Sequence, residues 1–182
     1  MLILRDMLEQ DIADNVRWFT TETEWSDWDA PWEPIEGGED EQRASWTEYY
    51  EAVKDAPPEV FHWKREIELD GVHIGWVSSY TDLEYLDNPE EHPAVGICII
   101  PQEARGRGAG TEALRQFIDD IRAHGHSTVY TQTWSGNLPM IRLAEKLGFR
   151  EVCRKPQIRE VRGQRYDAIA FRLDLGKDDH HA

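Results

Sequence analysis

The chain has 182 residues, of which 40% are hydrophobic and 10% aromatic, and this is enough for one core of sizeable volume. No apolar run approaches the roughly 20 residues that span a bilayer, and acidic residues interrupt the N-terminus before a signal-peptide core could form, so we expect a cytoplasmic protein. Cys98 and Cys153 are too few for a disulfide framework or a zinc site, and no metal centre is expected.

The net charge of −16 is unevenly distributed along the chain. Residues 1–92 carry 6 Lys and Arg against 25 Asp and Glu, a balance of −19, whereas residues 93–182 carry 14 against 11, a balance of +3. A strongly negative surface repels nucleic acid and anionic membrane and attracts cations, while the second half can still hold an anionic ligand. We therefore expect neither nucleic acid nor a membrane as a partner, although an acidic surface also serves solubility.

The first half of the chain predicts a strand, two helices and a hairpin. Asp11 is a suitable N-cap for the first helix, because Ile12, Val16 and Phe19 follow it at helical spacing. Asp70-Gly71, the dipeptide most typical of tight hairpins, joins the last two strands. The predicted elements, in chain order, are a strand at 2–7, a helix from Asp11, a loop at 21–38, a helix at 39–54 and strands at 60–69 and 72–80.

The second half alternates strands and helices before a closing hairpin. A helix after a glycine-rich segment carries apolar residues on one face and ends near Gly125, and a later helix stops at Gly148. The predicted elements are a strand at 94–100, the glycine-rich segment at 105–111, a helix, a strand at 126–134, a helix after Asn137 and strands at 149–158 and 164–173. This order indicates a mixed α/β sheet with helices packed on it.

The glycine-rich segment (residues 105–111) reads RGRGAGT, between a strand and a helix. A helix N-terminus carries unpaired N–H groups and the positive end of the peptide dipole, and glycines let an anion approach them. Thr111-Glu112 after the last glycine excludes a Walker phosphate loop, and the spacing G-x-G-x-G late in the chain argues against a dinucleotide fold. The segment therefore predicts a phosphate-binding site of another kind.

Three segments together resemble the GNAT family of N-acetyltransferases. The first is R-x-x-G-x-G, carried by Arg105, Gly108 and Gly110. The second is NLPMIRLAEKLGF at 137–149, in which an asparagine opens a helix. The third is REVCRKPQIREVRGQRYDAIAFRLDL from Arg150, which is similar to the closing hairpin of the RimJ/RimL-like branch of ribosomal-protein and small-molecule acetyltransferases. The likeness covers the second half of the chain, whereas the first half matches only in its order of elements.

The resemblance implies the acyl-CoA N-acyltransferase fold, a single domain with a mostly antiparallel sheet and helices on both faces. We expect this domain at 1–176, followed by a disordered polar tail at 177–182. The implied activity is transfer of the acetyl group of acetyl-CoA to a primary amine, by direct attack of the amine on the thioester. A protein that binds acyl-CoA without turning it over is the alternative. Edges of the closing hairpin could also pair two subunits in a homodimer.

The resemblance also assigns residues to the coenzyme. Backbone amides and two arginines of the glycine-rich segment would bind the pyrophosphate, and the strand at 96–100 would diverge from its neighbour and bond the pantetheine arm through main-chain groups. Asn137 would lie near the pantetheine and the thioester. The implied coenzyme-binding residues are Cys98, Ile99, Ile100, Arg105, Gly106, Arg107, Gly108, Ala109, Gly110, Thr111 and Asn137.

The catalytic groups carry weaker signals. Many family members have a tyrosine before EKLGF that protonates the departing thiolate, and Ala144 stands at that position here. Tyr130 and Tyr166 are alternative donors, although aromatic residues in strands are usually core. A base, such as a glutamate acting directly or through water, must deprotonate the acceptor's ammonium. Asn137 and Glu33 are our catalytic candidates, and further candidates for proton transfer are Glu24, Glu66, Glu68, His62 and His73.

Three tryptophans, Trp25, Trp28 and Trp32, alternate with carboxylates in the loop at 21–38. Aromatic faces beside carboxylates suit an amine-bearing cation, because attraction to the ring quadrupole adds to ion pairing. The first half forms the acceptor pocket in the family, so we predict a small cationic amine or an exposed protein N-terminus as the acceptor. The alternative is that the three rings only pin a long loop onto the core.

Overall fold

A computed structural model of the protein describes residues 1–57, 59–88 and 90–176. Strands and helices alternate along these residues, and short 3₁₀ helices at Thr23–Asp27 and Gln102–Ala104 interrupt two of the connections. The elements are β1 (Leu2–Arg5), α1 (Asp11–Thr20), α2 (Glu39–Val53), β2 (Lys64–Leu69), β3 (Val72–Tyr80), β4 (Ala94–Ile99), α3 (Ala109–Ala123), β5 (Thr128–Trp134), α4 (Leu138–Lys146), β6 (Arg150–Val161) and β7 (Gln164–Asp174).

The strands form one seven-stranded sheet in the order β1-β2-β3-β4-β5-β7-β6, and β4 and β5 are its parallel pair. Their ladder holds only the pair Ala94 and Tyr130, supported by a 2.8 Å bond from Thr131 Oγ1 to the Val95 carbonyl. The second half of β4 therefore has no partner on the β5 side, which leaves a gap in the middle of the sheet. The predicted α/β fold class, with a mostly antiparallel sheet and helices on both faces, is confirmed.

One face of the sheet packs against α3 and α4. The predicted apolar face of α3 is confirmed, because Ala113, Leu114, Phe117 and Ile121 are completely buried against the sheet. Burying each of the three larger side chains contributes roughly 1.5–3 kcal/mol relative to exposure. This packing fixes the N-terminus of α3 beside the end of β4.

The other face packs against α1, α2 and the loop between them (residues 21–38, the α1–α2 loop). Trp18, Trp25 and Trp76 form its core. Arg5 on β1 binds both oxygens of the buried Asp11, at 2.5 and 2.9 Å, and Asp11 also accepts from the Leu8 amide. Asp11 is thus the first residue of α1 and not its N-cap as predicted, because the guanidinium holds its carboxylate toward β1.

Two hairpins have the predicted turns. Asp70 and Gly71 have φ of 51° and 83°, and Arg162 and Gly163 have 50° and 77°, the positive values that type I′ turns require. The strands around them differ in length from the prediction. β2 begins only at Lys64, whereas β6 continues to Val161.

Over the described ranges, none of the helices combines the length and the apolar character that crossing a bilayer requires. Cys98 and Cys153 are both free thiols. The predicted tail at 177–182 lies outside the described residues.

Candidate active site

A cavity of about 750 Å³ lies beside the unpaired half of β4. The α1–α2 loop, β4, the glycine-rich segment and α4 form its walls, so it collects residues from both halves of the chain. Ten residues predicted for the coenzyme or the acceptor line it: Trp25, Trp28, Cys98, Ile99, Arg105, Gly106, Gly108, Gly110, Thr111 and Asn137. The predicted residues outside its lining are Ile100, Arg107, Ala109, Trp32 and Glu33.

The glycine-rich segment presents bare backbone at the start of α3. Gly106 and Gly108 have φ of +72° and +93°, and a Cβ on either would meet no atom within 4 Å. Both glycines are therefore required by backbone conformation and not by packing. Gly108 is the N-cap of α3 and offers no side-chain cap, and the first bond closing the helix runs from the Glu112 amide to the Gly108 carbonyl at 3.0 Å. The earlier amides of this turn remain available to an anion at the helix N-terminus.

Gly110 has a different reason to be glycine. A Cβ there would lie 3.4 Å from Ile99 Cδ1 and 3.7 Å from Leu143 Cδ2, at the tight end of ordinary contact. The first turn of α3 thus packs closely against β4 and α4. This contact places the open amides of the helix next to the unpaired edge of β4.

Arg105 is held by the protein itself. Its Nε donates to the Ile99 carbonyl and its Nη2 to the Ile100 carbonyl, each at 2.7 Å, and Nη1 lies 3.7 Å from Glu24 Oε1. The guanidinium therefore fastens the start of the glycine-rich segment to the end of β4. Its positive charge still borders the cavity, whereas Arg107 is exposed and outside the lining.

Two basic residues of the cavity were not predicted from the sequence. Arg142 and Lys146 lie one helical turn apart on α4, and both line the cavity. Leu143, between them on the same helix, approaches Gly110 in the first turn of α3. Neither forms a salt bridge within the described part of the chain. The spacing i, i+4 was visible in the sequence, but a solvated helix face gives the same pattern. Together with the N-terminus of α3 they make this end of the cavity positive.

Asn137 joins α4 to the α1–α2 loop. Its Oδ1 accepts from the Met140 amide at 3.1 Å and so caps α4, while its Nδ2 donates to the Trp28 carbonyl at 2.7 Å. Trp134 Nε1 donates to the same carbonyl at 2.9 Å. Asn137 as a whole is only 8% exposed. These bonds make Asn137 a structural anchor at the wall of the cavity.

The three tryptophans of the α1–α2 loop have separate surroundings. Trp25 is buried, donates from Nε1 to the Trp18 carbonyl and packs edge-on against Trp76. Trp32 packs edge-on against Trp134 and lies under the Arg159 guanidinium, 4.1 Å from the ring centre. Trp28 is 43% exposed and lines the cavity. Trp25 and Trp32 therefore hold the loop onto the core. Trp28 is the most exposed of the three rings and the one best able to receive a ligand on its face.

Most of the predicted proton-transfer groups are engaged elsewhere. Glu66 is buried between Lys64 and His73, and Glu68 binds Arg5. Neither of these glutamates nor His62 or His73 lines the cavity. Glu66, Glu68 and His73 lie on the central hairpin as predicted, and they bond residues of β2, β1 and α1 instead of facing the cavity. Contrary to the prediction, His62 does not lie on the hairpin, because β2 begins only at Lys64, and its Nδ1 lies 2.6 Å from Asp6 Oδ1. Glu24 does line the cavity, and its carboxylate accepts a hydrogen bond from Gln102 Nε2 at 3.0 Å.

Asp29 is a cavity carboxylate that the sequence placed among the loop acids Glu24, Asp27, Asp29 and Glu33 but did not select as a catalytic candidate. It lies one residue after Trp28, and its carboxylate forms no hydrogen bond or ion pair in the described ranges. Its side chain keeps contact with solvent, yet the cavity walls remove part of its hydration, and this desolvation together with the negative charge of Glu33 raises its pKa. The signal in the sequence was the alternation of acids with tryptophans, which does not tell which acid faces inward.

Proton donors near the cavity differ from those predicted. Tyr130 is buried with Leu83, and Tyr166 donates to Gln164, so neither borders the cavity. Ala144, at the position usual for tyrosine, is completely buried. The Cys98 thiol borders the cavity, and burial raises its pKa well above the usual range, with Asp29 adding to the effect. Cys98 is therefore a neutral thiol and not a nucleophile at neutral pH.

A family model described as an acetyltransferase (GNAT) domain matches residues 1–150 of the chain. Among curated proteins, the chain is similar to the mycothiol acetyltransferases of Corynebacterium glutamicum, with 28% identity over 142 residues. That alignment covers 78% of this chain and 43% of the relative. The chain thus matches less than half the length of these relatives.

Solved structures with similar folds include yncA from Salmonella typhimurium with its cofactor acetyl-CoA. It has a TM-score of 0.70 and 22% identity, and the match covers 100% of this chain and 96% of that one. Spermidine N-acetyltransferase from Vibrio cholerae, in complex with CoA and spermine, has a TM-score of 0.69 and 17% identity, with 97% and 96% covered. Both matches cover nearly all of this chain and show that it shares their fold.

Proposed function

Because the chain belongs to the GNAT acetyltransferase family, we propose that it is an acetyl-CoA-dependent N-acetyltransferase acting on a cationic primary amine. The observation that carries this proposal is the cavity itself. Its one end is positive, at the N-terminus of α3 with Arg142 and Lys146, and its other end is acidic and aromatic, with Trp28 and Asp29. A phosphate-bearing coenzyme and a positively charged acceptor would thus meet beside the unpaired edge of β4.

The coenzyme would enter at the positive end. The amides of the first turn of α3, exposed by Gly106 and Gly108, suit the pyrophosphate, because they offer fixed donors and the positive end of the helix dipole. The part of β4 around Ile97–Ile99, which has no β5 partner, would bond the pantetheine arm through main-chain groups other than the Ile99 carbonyl, which already accepts from Arg105. Arg105 supports this arrangement by fastening the two segments together.

The acceptor would enter at the acidic end. A cation over the exposed indole of Trp28 gains about 0.5–2 kcal/mol from the ring, and a nearby carboxylate adds ion pairing. Small polyamines and protein N-termini both present such a cation. Spermidine acetylation by the Vibrio cholerae structural relative supports the first of these, and the likeness of the closing hairpin to the RimJ/RimL-like branch supports the second.

Two measurements test the proposal. Calorimetry with CoA tests the coenzyme site, and we expect binding that saturates at one molecule per chain. Thiol release from acetyl-CoA is then measured with spermidine, a peptide with a free N-terminus, an apolar alkylamine and glutamate. Faster release with the two cationic acceptors supports the proposal, whereas equal rates with glutamate would refute the cationic acceptor.

A non-catalytic acyl-CoA-binding protein is the second candidate. It is favoured by Ala144, since the described lining of the cavity contains no tyrosine that could protonate the thiolate. The thiolate is a fair leaving group, and water can protonate it, so a missing acid lowers the rate without abolishing the reaction. CoA binding without thiol release from any amine would establish this candidate.

We also propose that two copies can pair through β6. This strand is the edge of the sheet, is twelve residues long and is mostly exposed, so its backbone groups are open to a second strand. Light scattering on the protein and on a variant with Glu151 replaced by Pro tests this pairing.

A further inference from the structure

The proposed transfer requires a base at the acceptor end of the cavity, and the inference drawn here rests on that function. An alkylamine is an ammonium at neutral pH and has no lone pair with which to attack the thioester. A group that accepts its proton must border the cavity, be free of a fixed cation, and be ionised while the ammonium is present. These three conditions decide which carboxylate of the cavity can act as the base.

Among the residues that the structure describes, two carboxylates line the cavity, Glu24 and Asp29. Glu24 fails the second condition, since it accepts from Gln102 at 3.0 Å and lies 3.7 Å from the Arg105 guanidinium. Asp29 has no such partner among the residues described. Glu33, the acid selected from the sequence, is exposed and outside the lining, four residues further along the same loop.

The groups that face Asp29 come from three elements. Glu33 lies on its own loop, Cys98 on β4 and Tyr80 at the end of β3, and Asp29 raises the pKa of both the thiol and the phenol. Cys98 and Tyr80 are neutral at pH 7, so Glu33 is the charge that acts on Asp29. Desolvation and Glu33 both raise the pKa of Asp29, in the direction that makes an aspartate a stronger base.

The position of Asp29 is fixed through the backbone, since its own amide donates to the Trp25 carbonyl at 3.3 Å. Its neighbour Trp28 is tied through its carbonyl to Asn137 and Trp134. Cys98, which borders the same cavity, belongs to the β4 edge that would hold the pantetheine arm. An ammonium attracted by Trp28 and Asp29 would therefore lie next to the coenzyme's acyl group.

We propose that Asp29 is the catalytic base, taking one proton from the acceptor ammonium directly or through one water molecule. The freed nitrogen lone pair then forms the bond to the acetyl carbon, and the carbon–sulfur bond breaks with its electron pair on sulfur. The second proton leaves the nitrogen as the amide forms and goes to the thiolate or to water. Asp29 returns its proton to solvent, so the balance is ammonium plus acetyl-CoA to amide, CoA thiol and one proton.

Asp29→Asn is compared with the unaltered protein on two acceptors of equal length, an alkylamine and an alkoxyamine whose nitrogen is neutral at pH 7. We expect kcat/KM for the alkylamine to fall by roughly 10²–10⁴-fold, and the fall to shrink as pH rises and more of the amine is neutral. The alkoxyamine needs no base for its first proton, so its loss should be only a few-fold. Asp55→Asn, an exposed acid after α2, is the matched control and should change neither rate.

The outcomes separate this role from the proposed function. If the unaltered protein binds CoA but acetylates neither acceptor, the proposed function fails, and the role of Asp29 fails with it. If it acetylates both, and the variant loses both equally, only the role of Asp29 is refuted. Equal CoA affinity of the variant by calorimetry shows that its fold is intact.

Glu33→Gln gives a second test that leaves Asp29 in place. Removing this negative charge lowers the pKa of Asp29, because the charge is one of the two causes of its rise. The acidic limb of the profile of kcat/KM against pH should therefore move to lower pH. A limb that stays in place would overturn the assignment.

Discussion

The side chain of Asn137 and the backbone carbonyl of Trp28 are joined by a 2.7 Å hydrogen bond across 109 residues of sequence. The same side chain caps α4 through the Met140 amide. One amide group thus connects the helix at the coenzyme end of the cavity to the loop at the acceptor end. Its two bonds can be removed separately, which gives the first prediction.

Asn137→Ala should lose both bonds, and Asn137→Asp only the bond to Trp28. A lost N-cap costs about 0.5–2 kcal/mol, so the alanine variant should melt at a clearly lower temperature. Aspartate keeps an oxygen for the Met140 amide and should retain most of that stability. Both variants remove one of the two bonds that hold the Trp28 carbonyl, so the loop at Trp28 should be less firmly placed and KM for the amine acceptor should rise in both. The measurements are thermal unfolding and steady-state kinetics, and an unchanged KM in the aspartate variant would contradict the anchoring role.

The second prediction concerns Gly108. Its φ of +93° lies in the left-handed region, where a residue with a Cβ costs about 1–2 kcal/mol. In Gly108→Ala the backbone relieves this strain by leaving the conformation that exposes the amides, and CoA affinity should fall by roughly 5–30-fold. Calorimetry measures this fall.

Gly163→Ala is the matched control for Gly108→Ala. Gly163 also has positive φ, at +77°, and open space around it, but it lies in the β6–β7 turn. Its substitution should lower the melting temperature by a similar amount and leave CoA affinity unchanged. Equal losses of CoA affinity in both variants would show that strain alone, and not the site, is responsible.

The glycine positions show how far the sequence predicts this site. The order of elements, the glycine-rich segment and Asn137 as a helix opener follow from local patterns of period, turn chemistry and capping, and the structure confirms the elements they predict. Local sequence patterns do not show which distant segments contact each other. They do not predict the bonds of Arg105 to the Ile99 and Ile100 carbonyls or the bond of Asn137 to the Trp28 carbonyl, because every residue has a backbone carbonyl.

The carboxylates show the complementary difficulty. Residues 1–92 contain 25 acidic residues, and the periodicity of apolar and polar residues does not show which of these acids faces a cavity. Glu66 was a candidate by its place on the central hairpin, yet cross-strand packing puts it beside Lys64 and His73. Asp29 lies in an aperiodic loop, so only the fixed position of Trp28 determines where it faces.

The third prediction concerns Arg142 and Lys146. Their charges border the cavity without a salt-bridge partner among the described residues, so an anionic coenzyme should pair with them. Exposed ion pairs contribute about 0.2–1 kcal/mol each. Replacing either by Ala should therefore weaken CoA binding only a few-fold, and the loss should shrink at high salt, where exposed charges are screened.

Lys155→Ala provides the control for these two substitutions. Lys155 is exposed on β6 and does not border the cavity. Its loss changes the net charge by the same amount, so a CoA affinity equal to that of the unaltered protein is expected. A similar loss of affinity in all three variants would attribute the effect to net charge and not to the site.

The fourth prediction concerns Cys98. Burial raises the pKa of its thiol well above the usual range, so the thiolate is scarce until the pH exceeds that raised value. In a Cys153→Ser background, iodoacetamide should alkylate Cys98 more slowly than free cysteine at pH 8, with a rate that still climbs at higher pH. CoA should slow the reaction further, because Cys98 borders the cavity.

Cys98→Ala tests what the residue contributes to coenzyme binding. The proposed contacts of β4 to the pantetheine arm are main-chain contacts, and they do not depend on the thiol. Alanine at this position should therefore leave CoA affinity within a few-fold of the original value, although stability falls because Cys98 packs against the Trp18, Trp25 and Trp76 core. Loss of CoA binding in a variant that still unfolds cooperatively would show that the side chain, and not the strand's backbone, holds the coenzyme.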